Sequence, residues 1–150
     1  MITFELNQSK LRGGQCLPHA LVAKALVASD AELKPRKDVE LSIAFVGERE
    51  MRALNKKWRG HDYVTDVLSF EPSFAEASEV KDVAEILLCY PQAVRQAKEM
   101  GHSTRDELVF LIVHGVLHTF GFDHIEPKDA KKMFPRQTRI LTALGVDTRI

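Results

Sequence analysis

The stretch Thr104-Arg-Asp-Glu-Leu-Val-Phe-Leu-Ile-Val-His114-Gly-Val-Leu-His118-Thr-Phe-Gly-Phe-Asp-His124 organises the chain around one central helix. Thr104 and Glu107 have the T-x-x-E spacing of a capping box, which predicts a helix start at that point. Residues 109–113 are apolar on every side, and a helix without a polar face is a buried one. The periodicity predicts a helix over residues 104–120. Gly121 then stands where a glycine in the left-handed conformation ends a helix and reverses the chain.

That helix carries histidines at 114 and 118. Four residues turn an α-helix by about 400°, so the two imidazoles project from nearly the same face, one turn apart. A tight exit at Gly121 carries His124 back toward them. A lone histidine on a buried helix is more often a hydrogen-bonded core residue than a ligand. A pair at this spacing is ambiguous, and a third beyond a helix-ending glycine makes metal ligation the better reading. Three protonated imidazoles in a core would repel one another, whereas an ion at about 2.0–2.1 Å from each nitrogen removes the conflict. Structural zinc sites usually close with four protein ligands. Three leave a position for water, which the metal acidifies, so His114, His118 and His124 point to a catalytic centre. One zinc ion per chain is the expected cofactor, although nickel or another divalent transition metal suits the same donors.

Outward from this helix the chain reads as a mixture of strands and helices. Residues 2–6 place Ile2, Phe4 and Leu6 on one face of a strand, and residues 39–46 alternate as a half-buried strand does. Residues 67–71 and 83–90 supply two more strand candidates, with the acidic stretch 72–82 between them read as a surface loop. Helical spacing follows Gly13-Gly14 and ends near Ser29-Asp30, and recurs over residues 48–58 and from Pro91 to about Met100. A last helical region covers residues 127–144, which Pro135 is expected to kink or split. The order predicts a single α+β domain over residues 1–150, with one mixed sheet of about four strands covered by helices.

With 150 residues, 45% of them hydrophobic and 28% charged, the chain has the composition of a globular protein large enough to bury a core unaided. Its formal net charge of zero excludes a wholesale basic footprint but leaves room for a local one. Cys16 and Cys89 form neither a disulfide framework nor a CxxC pair, which suits a reducing compartment. No signal pattern and no bilayer-length apolar run are present, so a cytoplasmic location with no membrane partner is expected.

The spacing H-x-x-x-H-x-x-G-x-x-H is also that of the metzincin peptidases, which carry a glutamate general base directly after the first histidine. Here that residue is Gly115. Its lack of a side chain argues against peptide hydrolysis, while phosphodiester cleavage can rest on charge stabilisation and an activated water. Arg52, Lys56, Lys57 and Arg59 cluster at the end of the 48–58 helix around Trp58. Read alone, such a cluster is a solvated basic helix end favoured by the helix dipole. Near a metal, an arginine is suited to hold a phosphate.

Three blocks, Leu54-Asn-Lys-Lys-Trp-Arg-Gly60, Thr65-Asp-Val-Leu-Ser-Phe70 and the His114–His124 segment, together resemble the YbeY endoribonucleases of bacteria in residues, order and separation. The resemblance covers nearly the whole chain. It implies a zincin-like metal site on a central helix and a metal-dependent endoribonuclease directed at single-stranded RNA. It further implies a role in maturing the 3′ end of 16S ribosomal RNA and in ribosome quality control, with the ribosome or ribosome-associated proteins as partners. Carried over by position, His114, His118 and His124 are the metal ligands, with His114 also counted as catalytic. Arg59 becomes the first candidate for phosphate contact, assisted by Lys56 and Lys57. Asp123 and Glu85 are the candidate carboxylates beside the metal. Departures from the family pattern are Glu85 in place of an aspartate, Thr119, Phe122, and Pro135 with Gln137 in a final helix that typically bears glutamate. Two alternatives stand beside it: a metallopeptidase-like hydrolase using Glu85 as its base, and a ribosome assembly factor without catalysis.

Overall fold

A computed structural model describes residues 1–71 and 81–146. Four strands, β1 (Ile2–Asn7), β2 (Asp38–Phe45), β3 (Val67–Phe70) and β4 (Lys81–Leu88), form one sheet in the order β1-β2-β4-β3. The first two pairings are parallel, and β3 runs antiparallel to β4, so the sheet is mixed as expected. The helices are α1 (His19–Leu33), α2 (Glu48–Arg59), α3 (Tyr90–Met100), α4 (Thr104–Thr119) and α5 (Pro127–Leu144).

Strand alternation decides which residues face which layer. Val39, Leu41, Ile43 and Phe45 of β2, with Ala84, Ile86 and Leu88 of β4, meet Val22 and Leu26 of α1 and Leu108, Ile112 and Val116 of α4. On the opposite face Met51 of α2 packs with Leu68, Leu87 and Cys89. A third cluster, Val113 and Leu117 with Met133, Ile140 and Leu141, holds α5 behind α4. The central helix is therefore enclosed between the sheet and α5, which is why it lacks a polar face.

Several boundaries differ from the sequence reading. Helix α1 continues past Ser29, whose buried hydroxyl is satisfied by donating to the Ala25 carbonyl 2.9 Å away in the same helix. It ends at Lys34, in the left-handed conformation before Pro35. The cap of α4 is Ser103, whose Oγ accepts from the Asp106 amide at 3.1 Å, and not Thr104. Glu107 is fully buried instead of closing a capping box. Pro135 does not split α5, which is continuous through it. Strand β4 begins at Lys81 and ends before Tyr90, which starts α3. Most of the expected 72–82 loop lies outside the described residues. Among the described residues no helix is long and apolar enough to cross a membrane.

Candidate metal centre and its groove

The exit from α4 is built as predicted. Gly121 has φ +88°, its amide donates to the His118 carbonyl at 3.0 Å, and the Phe122 amide donates to Leu117 at 3.1 Å. This crossed pair of bonds turns the chain sharply. It returns His124 to the face that carries His114 and His118. One ring nitrogen from each of the three lies within 4.8 Å of the others, and the Nε2 atoms of His114 and His118 are 3.0 Å apart.

The rings are held from behind. His114 Nδ1 lies 2.7 Å from Gln137 Oε1, and Gln137 is 1% exposed. An amide oxygen only accepts, so Nδ1 carries the proton and Nε2 presents its lone pair toward the cluster. His114 also stacks on Phe110 and His124 on Phe134. Burial pushes the His114 pKa down, against the raising effect of Gln137. Burial, reinforced by the charges of His114 and His124, pushes His118 down to about 4. Neutral imidazoles with converging lone pairs are the protonation state a divalent ion requires. The donor set therefore fits zinc or a similar ion.

The centre opens into a groove of about 500 Å³ lined by His114, His118 and His124 together with Arg59, Asp66, Ser69, Glu71 and Asp123. Arg59 is the last residue of α2. Its Nη2 donates to the Ser69 carbonyl at 2.6 Å, and its guanidinium lies 5.2 Å from the Phe70 ring centroid. The bond to β3 brings a cation from one end of the fold to the mouth of the histidine cluster. Asp123 lines the groove and accepts from the His124 amide at 2.7 Å through Oδ1, which braces the last histidine.

Three expected residues are not brought there. Glu85 is exposed on the far face of the sheet. Its neighbour Ile86 points at α4, and alternation turns Glu85 away into a separate depression with Glu50, Trp58 and Val83. It stands neither beside the metal nor where a peptidase base is needed. Lys56 lies 4.0 Å from Asp62, which also takes a 2.9 Å bond from Arg52, and Lys57 sits over the Trp58 ring at 5.0 Å. Neither lysine lines the groove. They are solvated residues of the helix end.

Gly115 has a packing reason. A Cβ built there would meet Ile86 Cγ2 at 3.2 Å and Cδ1 at 3.3 Å. The position that holds a glutamate in the metzincins points here into the apolar contact between α4 and β4. Even a Cβ there would require the Ile86 side chain to give by a few tenths of an ångström.

Two residues, one behind the histidines and one on the groove, have no role assigned from the sequence. Gln137 was noted only as a departure, yet Met133, Gln137, Ile140 and Leu141 are the buried positions of α5. A glutamine on an otherwise apolar stripe signals a buried hydrogen bond. Asp66 lay within a block used for recognition, and nothing in its spacing tied it to the histidines.

The family model described as Endoribonuclease YbeY matches residues 4–145. A protein called Endoribonuclease YbeY from Macrococcus caseolyticus is 42% identical over 73% of this chain and 74% of its own length. Its counterpart from Staphylococcus carnosus is 40% identical over 81% and 82%. A Thermotoga maritima protein of known solution structure superposes with a TM-score of 0.60 at 29% identity, over 96% of this chain and 89% of that one. On the match across nearly its whole length, the chain belongs to the Endoribonuclease YbeY family.

Proposed function

We propose that this protein is a metal-dependent endoribonuclease that cuts single-stranded RNA, acting in the cytoplasm on ribosomal RNA at the 3′ end of the 16S species and in ribosome quality control. The observation that carries this reading is the placement of Arg59 and the three histidines on one open groove, with Gly115 directed into the core. His114, His118 and His124 would hold one zinc ion per chain, which when bound supplies a Lewis acid and an acidified water. Arg59 would take a phosphate oxygen, where a planar guanidinium suits both geometry and charge. His114, fixed by Gln137, keeps its lone pair turned to the ion. Ribosome-associated partners belong to the same proposal.

The peptidase alternative loses its base, since Glu85 faces the other side of the sheet and Gly115 faces Ile86. The test is cleavage of matched single-stranded and duplex RNA oligonucleotides by zinc-loaded protein. The single strand is expected to be cut faster by about tenfold or more, and equal cutting or no cutting contradicts it. Products ending in a 2′,3′-cyclic phosphate would identify the neighbouring 2′-hydroxyl as nucleophile, whereas linear ends indicate water.

A further inference from the structure

With Gly115 carrying no functional group, any protein proton acceptor comes from elsewhere on the groove. Among the described residues three carboxylates line it: Asp66, Glu71 and Asp123. Asp123 is engaged with the His124 amide, and Glu71 is exposed just beyond the end of β3. Asp66 is half-buried just before β3 and is fixed from behind.

Its Oδ1 accepts from the Val67 amide at 2.7 Å, and its Oδ2 accepts from Gln96 Nε2 at 2.9 Å. The same Nε2 donates to Glu107 Oε2 at 3.1 Å, and Glu107 Oε1 is hydrogen-bonded to His102 Nε2 at 2.7 Å. Gln96 Oε1 accepts from Gln92 Nε2 at 3.1 Å. The amide of Gln96 thus has one permitted orientation, because flipping it would set its oxygen against two carboxylates. Glu107 is 0% exposed, and a carboxylate removed from water is tolerated only when hydrogen-bonded in this manner. A part-buried polar chain therefore runs from the start of α4 through α3 to Asp66 at the groove. A carboxylate has about four acceptor positions. Val67, Gln96 and a weaker contact from Thr65 Oγ1 at 3.3 Å occupy no more than three of them, leaving capacity on the groove side.

We propose that Asp66 is the proton acceptor of the cleavage step and that Gln96 is a positioning residue that aims it into the groove. This rests on the endoribonuclease reading above. As the attacking hydroxyl forms its bond to phosphorus, its proton passes to Asp66. The P–O bond to the leaving nucleoside breaks, and the leaving oxygen takes a proton from solvent. Asp66 then returns its proton to solvent, restoring the carboxylate.

The experiment uses full-length zinc-reconstituted protein, a fluorescent single-stranded RNA, and zinc competition with a chromogenic chelator as a readout separate from cleavage. Asp66→Asn is expected to lower kcat by about 10²–10³, within the range of a general base. Its KM and zinc affinity should each stay within about threefold of the parent, since the three ligands are untouched. Gln96→Leu is expected to lower kcat about tenfold by releasing Asp66. An Asp66→Asn variant with unchanged kcat overturns the proposal. So does a loss of kcat matched by an equal loss of zinc affinity, which would make Asp66 a support of the metal alone. If Asp66→Asn does not fold, a folded Gln96→Leu decides, lowered kcat supporting the proposal and parental kcat overturning it. A parent protein that does not cut RNA brings down the nuclease reading and this one together, whereas an active parent with an equally active Asp66→Asn variant removes only this one.

Discussion

His114, His118 and His124 come from eleven consecutive residues, whereas Arg59, Asp66 and Ser69 reach the same groove from α2 and from the lead-in and body of β3. The first half is set by helix geometry and one tight turn, and is backed by Gln137, Phe110 and Phe134. The second half exists only because α2 and the sheet pack together. There an exposed guanidinium is held by the Ser69 carbonyl at 2.6 Å, the Trp58 carbonyl at 3.5 Å and the Phe70 ring. On the proposed function the two halves carry different properties: the histidine, or metal, half would hold the ion, and the other half would direct what the bound ion is used for.

This division is broken or sharpened by substitutions on either side. Arg59→Ala is expected to reduce RNA cleavage by about 10²–10³, the usual cost of losing one preorganised charge-stabilising donor, while zinc content stays at the parental level. Single-turnover cleavage beside elemental analysis checks both. A comparable loss of zinc would mean the halves are not separable. Gln137→Leu works from the other side. It removes the acceptor that fixes His114 and should weaken zinc binding by about 10–100-fold with the fold retained. Gln137→Glu, which still accepts from Nδ1–H, should recover most of that affinity in the same competition titration.

The pH behaviour of the metal-free protein probes the burial of the metal half. His118 in the folded chain is lowered to about 4 from an ordinary 6.5. Between those values the unfolded chain binds a proton that the folded chain does not, so stability falls as pH falls from about 6.5 toward 4. Above 6.5 this residue makes no difference. Differential scanning calorimetry of chelator-treated protein should show a melting temperature lower by roughly 5 °C at pH 4.5 than at pH 7, and a His118→Phe variant should lose part of that dependence. The smallest effect is expected from Lys56→Ala combined with Lys57→Ala. Both residues lie off the groove, so kcat should change less than about threefold, and any rise in KM should shrink with added salt. A loss as large as that of Arg59→Ala would return the lysines to the site.

The contrast also explains what could be read before the fold was in view. A helix start, a run of apolar residues, an i, i+4 pair and a terminal glycine are local, and they located the metal half and its central helix. The mixed sheet followed from strand alternation and element order. Glu85 was misplaced because a single sequence does not say which face of β4 looks toward α4. That became clear only with Gly115 against Ile86 and the alternate residue turned away. Lys56 and Lys57 lie off the groove, beside Asp62 and over Trp58, and a cluster of cations reads the same in sequence whether or not it lines a groove. Pro135 was expected to interrupt α5, yet the packing of Met133, Gln137, Ile140 and Leu141 on both sides of it outweighs one missing backbone bond. Asp66 depends on a chain of side chains from three elements, and no local pattern announces it.

The central claim is that three histidines hold one ion and that this ion is required for cutting RNA. The most direct measurement is stepwise return of zinc to chelated protein, following bound metal and cleavage of a single-stranded RNA in the same samples, beside His118→Ala. The account predicts that cleavage is absent without metal, rises in proportion to zinc and saturates at one ion per chain, and that His118→Ala neither retains the ion nor cuts. Full cleavage by metal-free protein, or by a His118→Ala variant devoid of zinc, would contradict it.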